Sequence, residues 1–213
     1  NLDDLDISIL KMLTTNSRRS DHSIARKLQV TTNTVKNRVR NLMKEGVLLG
    51  FETHLSATFF NATHCWLSAQ LYGSELQEKI VEELGKIDKV SFIMPTTENL
   101  MLIAMDFFNS TDLDNTMQQM SRIKEITGIN TLIYSSQHDH KKIEISPLDW
   151  KIIKSIRFNS RKSPSEIAGE CSVSTRTVNR RLRRLHDGGV VHHTIALDPM
   201  ASKGTIVYGI GAE

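Results

Sequence analysis

Along the chain, apolar positions recur first with a helical period, then in alternation, then with a helical period again. Leu5, Ile9 and Leu13 are spaced by four, and Ile24-Ala25 mark a second, shorter helix. In the last third, Leu148, Ile152 and Ile156 repeat the first spacing, Ile167-Ala168 the second, and Val178, Leu182 and Leu185 form one stripe of a third helix. Spacings of three and four place these side chains on one helix face, which predicts three packed helices at each end. Between them the period drops to two. Residues 65–72 read as a strand ending at Gly73, and Ser74 can cap a helix over 75–86 with Leu76, Ile80 and Leu84 inward. Residues 90–94 and 100–107 read as a hairpin turning through Thr96-Thr97-Glu98-Asn99. A second helix starts near Thr111 or Asp112 and carries Leu113, Met117, Met120 and Ile123 to Ile126, before a last strand over 129–135 that follows Gly128. The order βαββαβ predicts a ferredoxin-like sheet with two helices on one face and the other face open for self-association.

The two ends are copies of each other. STRTVNRRLRRLHDGGVV (174–191) aligns without a gap on TTNTVKNRVRNLMKEGVL (31–48) at an offset of 143. Leu5-Asp6 matches Leu148-Asp149, Asn16-Ser17-Arg18 matches Asn159-Ser160-Arg161, and Val35, Arg38, Leu42, Gly46 and Val47 recur as Val178, Arg181, Leu185, Gly189 and Val190. An ungapped repeat of this kind means two copies of one small domain. In each copy a hydroxyl residue can cap the third helix, glycine can end it in a left-handed turn, and a β-rich stretch follows. That is the pattern of a winged helix-turn-helix. The expected fold is α+β: a winged helix-turn-helix over 1–59, the ferredoxin-like domain over 60–140, and a second winged helix-turn-helix over 141–213, ending in a strand.

The third helix of each copy is the candidate DNA reader. Its N-terminal residues would face base edges in the major groove while flanking cations meet phosphates. In the first copy these are Thr32, Asn33, Thr34, Lys36, Asn37, Arg38 and Arg40. In the second they are Thr175, Arg176, Thr177, Asn179, Arg180, Arg181, Arg183 and Arg184. Arg176 and Arg180 suit guanine edges, and Asn33 and Asn37 suit adenine. Arg38 and Arg181 recur alongside Asp6 and Asp149, so a partly buried ion pair between first and third helices is an equal alternative for those two arginines. His192-His193 fall on the second wing, either toward DNA or on a plain exposed strand.

Charge sharpens this picture. The formal net charge is +3, but residues 60–140 hold five basic and eleven acidic residues against 22 and 13 in the flanks. Positive charge travels with the repeats, which favours localised DNA contact over general polyanion binding. Cys65 and Cys171 are too few and too far apart for a disulfide framework or a cysteine zinc site. His138-Asp139-His140 lacks a third metal ligand in view, so neither a metal nor a cofactor is expected. Met94, Met101, Met105, Met117 and Met120 follow element spacing and read as core. No apolar run is long enough to span a bilayer, and a cytoplasmic, nucleoid-associated protein is expected.

The first 140 residues resemble the Lrp/AsnC (feast/famine) regulators of bacteria and archaea. The resemblance rests on the opening Leu5-Asp6-Ile7-Ser8-Ile9-Leu10, the helix Thr34 to Leu42, the Gly46-Val47 wing start and the βαββαβ order. It implies a transcription regulator that binds double-stranded DNA, forms a homodimer or higher oligomer through the sheet domain, and takes a small-molecule effector near the hairpin turn, here Thr97, Glu98 and Asn99. The family often has Gly and Asp at this turn. A helix-turn-helix on both sides of one sensing domain departs from the usual two-domain layout. The runner-up readings are an architectural DNA-binding protein and an enzyme similar to siroheme decarboxylases, whose chemistry is associated with histidine and aromatic residues around the central hairpin. The stretch 91–97 has neither histidine nor tyrosine, so a non-enzymatic role is expected. The chain does not begin with methionine, and adding 143 to residues 64–70 lands on 207–213, so a longer tandem protein is the expectation, with a docked terminal strand as the alternative.

Overall fold

A computed structural model of the chain describes residues 2–73, 77–96, 99–134, 143–198 and 201. In chain order the elements are α1 (Asp4–Thr15), α2 (Asp21–Leu28), α3 (Thr32–Lys44), β1 (Leu48–Leu55), β2 (Thr63–Leu71), α4 (Gln77–Leu84), β3 (Val90–Pro95), β4 (Leu100–Phe107), α5 (Ser110–Ser121), β5 (Ile126–Tyr134), α6 (Pro147–Ile156), α7 (Pro164–Cys171), α8 (Thr175–Asp187) and β6 (Val191–Leu197). They divide into two compact units, one made of both chain ends and one of the middle, from residue 57 to residue 140.

The unit made of the ends contains both helix-turn-helix copies. Asp3 and Ser146 cap α1 and α6 with reciprocal capping boxes, each accepting the N–H of an aspartate three residues on, Asp6 or Asp149, whose carboxylate returns to the cap. Thr31 and Ser174 cap α3 and α8 in the same way on one side only, accepting from Thr34 and Thr177 N–H. Gly46 (φ 75°) and Gly189 (φ 68°) turn the chain out of the basic helices in the left-handed region, where any side chain is strained. Inward faces are those the periodicity predicts: Ile9, Leu13, Ile24, Val35 and Leu42 in one copy, Ile152, Ile156, Ile167, Val178 and Leu185 in the other, all nearly inaccessible.

Sequence periodicity does not reveal how the wings are used. Each is a single strand, and the two pair with each other, β1 antiparallel to β6, through partners Phe51 with Ile195 and Glu52 with Thr194. The 143-residue offset carries Phe51 onto Thr194 and Glu52 onto Ile195, so a local two-fold axis passes between these pairs. β6 packs on α1 and β1 on α6, each copy lending its wing to the other's first helix. Ile195 is buried in the core of the first copy, a contribution of about 1.5–3 kcal/mol for a side chain of its size.

The reciprocity extends to the segment Asn16-Ser17-Arg18 and its repeat. Ser17 and Ser160 are fully buried with their hydroxyl oxygens 2.5 Å apart. Arg161 donates to the carbonyls of Ser17 (2.8 Å) and Arg19 (3.0 Å), and Arg18 donates to the equivalent carbonyls of Ser160 and Lys162. Arg161 also pairs with Asp21 at 2.9 Å and lies over the Phe51 ring, 4.5 Å from its centre. Burial draws the Arg18 guanidinium below its ordinary pKa.

The middle unit is an antiparallel sheet in the order β3-β4-β2-β5, the ferredoxin-like arrangement, with its core on the side carrying Cys65, Leu67, Ala69, Met101, Ile103 and Met105 together with Ile80, Leu84 and Met120. Several boundaries differ from the periodicity. α5 begins at Ser110 with Asn109 as its cap and stops at Ser121, so Ile126 opens β5 rather than lying in the helix, and Gly128 sits inside that strand opposite Gln70, at a register shift. A Gly in a strand commonly marks such an irregularity. Ser74 and Leu76, with the residues after 201, lie outside the described residues. Both cysteines are buried free thiols, and burial raises their pKa.

Candidate nucleic-acid interface

The two basic helices sort their side chains by face. Arg38 turns inward along α1, 2.6 Å from Asp3 and 3.2 Å from Asp6. The hydrogen bond that Arg38 donates to the Asp3 carboxylate raises the Arg38 pKa. Arg181 does the same at 3.0 Å from the fully buried Asp149, which also receives Arg184 at 2.6 Å. Burial pushes the Asp149 carboxyl up, but the Ser146 hydroxyl and backbone N–H and the two guanidinium groups outweigh it and hold the pKa below the usual aspartate range. Arg38, Arg181 and Arg184 thus tie each third helix to the first. Arg184 Nε is buried without a partner among the described residues.

The other candidates face outward. Asn33, Lys36, Asn37 and Arg40 are exposed along α3, and Arg176, Asn179, Arg180 and Arg183 along α8. Arg40 donates to Asn37 Oδ1 at 3.2 Å. Thr34 and Thr177 hydroxyls are spent on their helix caps, 2.8 Å from Thr31 and 3.0 Å from Ser174. Thr32 and Thr175 open the helices beside them. Lys36 and Thr32 also line a basic groove with Arg18, Arg19, Ser20, Asp21, His22 and Arg161. Arg19 and His22 are not among the residues that the helical pattern singles out. Their signal is the Arg18-Arg19 pair directly before the Ser20 cap of α2, where helix N–H groups and cations meet.

The wing histidines separate. His192 is exposed, whereas His193 is 2 % exposed, shares a 3.0 Å hydrogen bond with Thr53 Oγ1, and stacks on His186. Burial first, then the nearby Arg18, His186 and His192, lowers its pKa to about 4. A neutral imidazole in the wing pairing is structural, so the expectation that His193 could reach DNA does not hold.

In the middle unit, Trp66, Phe92, Leu102 and Ala104 lie on the sheet face opposite the core, with Trp66 and Phe92 in edge contact at 5.7 Å. His64 stands beside Trp66 and shares a 2.7 Å hydrogen bond with Asp106. It lies on β2, outside the 91–97 stretch that lacks histidine. Of the expected effector turn, Thr97 and Glu98 are outside the described residues, as are His138, Asp139 and His140. Asn99 takes a left-handed φ of 62°, and its carbonyl accepts Leu71 N–H at 2.7 Å. Among the described residues no group of His, Cys, Asp or Glu could hold a metal, and no helix is long and apolar enough to cross a membrane.

Two copies of a three-helix fold, each presenting a hydroxyl-capped basic helix to solvent, define a helix-turn-helix DNA-binding protein. Residues 2–43 match the AsnC-type helix-turn-helix domain and residues 145–192 match winged helix-turn-helix DNA-binding domains. The chain thus carries an AsnC-type helix-turn-helix domain near its start and a winged helix-turn-helix domain in its last third, with the ferredoxin-like unit between them in sequence. The chain is similar to the uncharacterized HTH-type transcriptional regulator PF1734 of Pyrococcus furiosus, 29 % identical over 156 residues, covering 71 % of this chain and 97 % of that one. It is 27 % identical over 96 residues to the HTH-type transcriptional regulator Ptr1 of Methanocaldococcus jannaschii, covering 45 % of this chain and 65 % of the relative's length. The crystal structure of the siroheme decarboxylase NirDL shares the fold over 91 % of this chain and 65 % of that one, with a TM-score of 0.54 and 11 % identity.

Proposed function

We propose that this protein regulates transcription by binding specific double-stranded DNA through α3 and α8 together. The observation that carries the reading is the sorting of cations. Inward arginines are consumed by Asp3, Asp6 and Asp149, while Lys36, Arg176, Arg180 and Arg183 face solvent on the helices that the fold presents. The local two-fold axis between the copies supports a joint reader, since duplex DNA has two-fold axes of its own. A second copy of the chain covers the Trp66 and Phe92 face, as an apolar sheet face with an exposed Phe92 ring favours. The reading places the protein with the chromosome in the cytoplasm. The test is retention of short duplexes at several salt concentrations. Affinity should fall steeply with salt, and genomic upstream sequences should bind more tightly than a random duplex at equal salt. Equal affinity for all duplexes would instead support an architectural role.

One observation favours a second reading, an enzyme acting on a tetrapyrrole. His64, paired with Asp106 beside Trp66 and Phe92, supplies a titratable group next to an aromatic surface. Titration with an iron porphyrin tests it: a saturable absorbance shift abolished in His64→Ala supports the enzyme, and an unchanged spectrum removes it.

A further inference from the structure

We infer that α3 and α8 read different bases, so that the preferred duplex has two unlike halves, adenine-bearing under α3 and guanine-bearing under α8. The inference rests on the DNA-binding reading above.

Aligned at the 143-residue offset, the helices agree where they cap, pack or brace: Thr34 with Thr177, Val35 with Val178, Arg38 with Arg181, Leu42 with Leu185. They disagree where they face solvent. Asn33 is replaced by Arg176 and Asn37 by Arg180. These positions are four apart, hence on one face, and lie in the N-terminal half of the helix, the part that approaches base edges. All four side chains are exposed.

The exchange is chemically directed. An asparagine amide offers one acceptor and one donor, matching the N6–H and N7 of adenine. A guanidinium offers donors only, matching O6 and N7 of guanine. Arginine against adenine sets donor against the N6 amino group, and asparagine against guanine sets its oxygen against O6 or N7. Each helix therefore accepts one base and opposes the other. In α3 the arrangement is reinforced by Arg40, which holds Asn37 through its Oδ1. The equivalent Arg183 cannot do this for Arg180, because neither offers an acceptor.

Attraction to phosphate does not explain the exchange. Among exposed positions, α3 carries cations at Lys36, Arg40 and Lys44, and α8 at Arg176, Arg180 and Arg183, with Asn179 and Asp187 where α3 has its lysines. Each helix has three such cations, and those of α8 lie nearer its N-terminal, base-reading half. A pair of readers related by a two-fold axis but carrying different tips is complementary to a duplex whose halves are related in place and different in sequence.

The experiment is selection of the full chain on a random duplex library, followed by the same selection with the doubly substituted R176N/R180N, whose melting temperature verifies the fold. The parent should enrich two unlike halves. The variant should exchange guanine for adenine in one half alone, and its affinity for the parent's duplex should fall about 5- to 150-fold for each guanine it no longer reads. A palindromic motif from the parent, or an unchanged motif from the variant, overturns the inference while leaving DNA binding intact. Failure of the parent to retain any duplex at low salt overturns the DNA-binding reading, and the inference with it.

Discussion

The hydroxyl oxygens of Ser17 and Ser160, residues in the same place in the two copies, meet at 2.5 Å in a fully buried contact. Either single alanine leaves the other hydroxyl buried without its partner, at a cost of about 1–3 kcal/mol. Replacing both should cost less than the sum of the single changes, because two apolar groups leave nothing unsatisfied. Urea melts of S17A, S160A and the double variant measure this. Additive costs would mean that the pair is not coupled.

His193 should make the wing pairing acid-sensitive. Its folded pKa of about 4 lies below the free value of 6.5, so between these limits the unfolded chain binds more protons and stability falls as pH falls. The loss is at most about 3 kcal/mol across the window, with none from this group above about pH 7. His193→Leu should remove the difference between melts at mildly alkaline and mildly acidic pH, about 7.5 and 5. An equal difference in parent and variant would place the acid sensitivity elsewhere.

Asp149 should be the most costly carboxylate to remove. It is fully buried and braces Arg181 and Arg184, whereas Asp6 meets Arg38 with some exposure. Asp149→Asn should cost up to about 3–5 kcal/mol at neutral pH by depriving the partly exposed Arg181 and Arg184 of the buried carboxylate that holds them, and Asp6→Asn less. Since the Asp149 pKa is lowered on folding, its contribution is complete above the ordinary aspartate range and fades as pH falls through the folded value. The gap between parent and Asp149→Asn should therefore narrow in acid, as guanidinium melts at about pH 7 and about pH 3 would measure.

Trp66→Glu should separate copies of the chain. A charge on the face shared with Phe92 and Leu102 would be desolvated by a second sheet. Light scattering at micromolar concentration should show an oligomer for the parent and a smaller species for the variant. A monomeric parent would sink association through this face.

Much of this architecture is legible in the amino-acid order, for reasons that particular residues expose. Capping hydroxyls at Thr31 and Ser174, glycines at 46 and 189 and the inward stripe Val178, Leu182, Leu185 are local signals, and local physics enforces them. The matched Asn16-Ser17-Arg18 and Asn159-Ser160-Arg161 announce a repeat, but not that the repeats meet there. A contact across a two-fold axis joins like to like and leaves no complementary pattern to find. The same holds for β1 and β6, each of which finds its partner in the other copy's wing. Ile126 reads as the end of a helix because three apolar residues at 120, 123 and 126 keep a helical spacing through the turn. Of the basic helices, the face taken by Arg38, Arg181 and Arg184 depends on the aspartates opposite, and only the fold decides it.

The shared β1 and β6 ribbon has a kinetic meaning. Where separate chains must meet before two reading heads can act, occupancy of DNA rises with the square of protein concentration at low abundance. Here the heads are joined by one backbone, so their encounter is intramolecular and its effective concentration stays fixed however scarce the protein becomes. Occupancy by a pair of heads should then rise in simple proportion to the number of chains, giving a cell a graded response at low copy number.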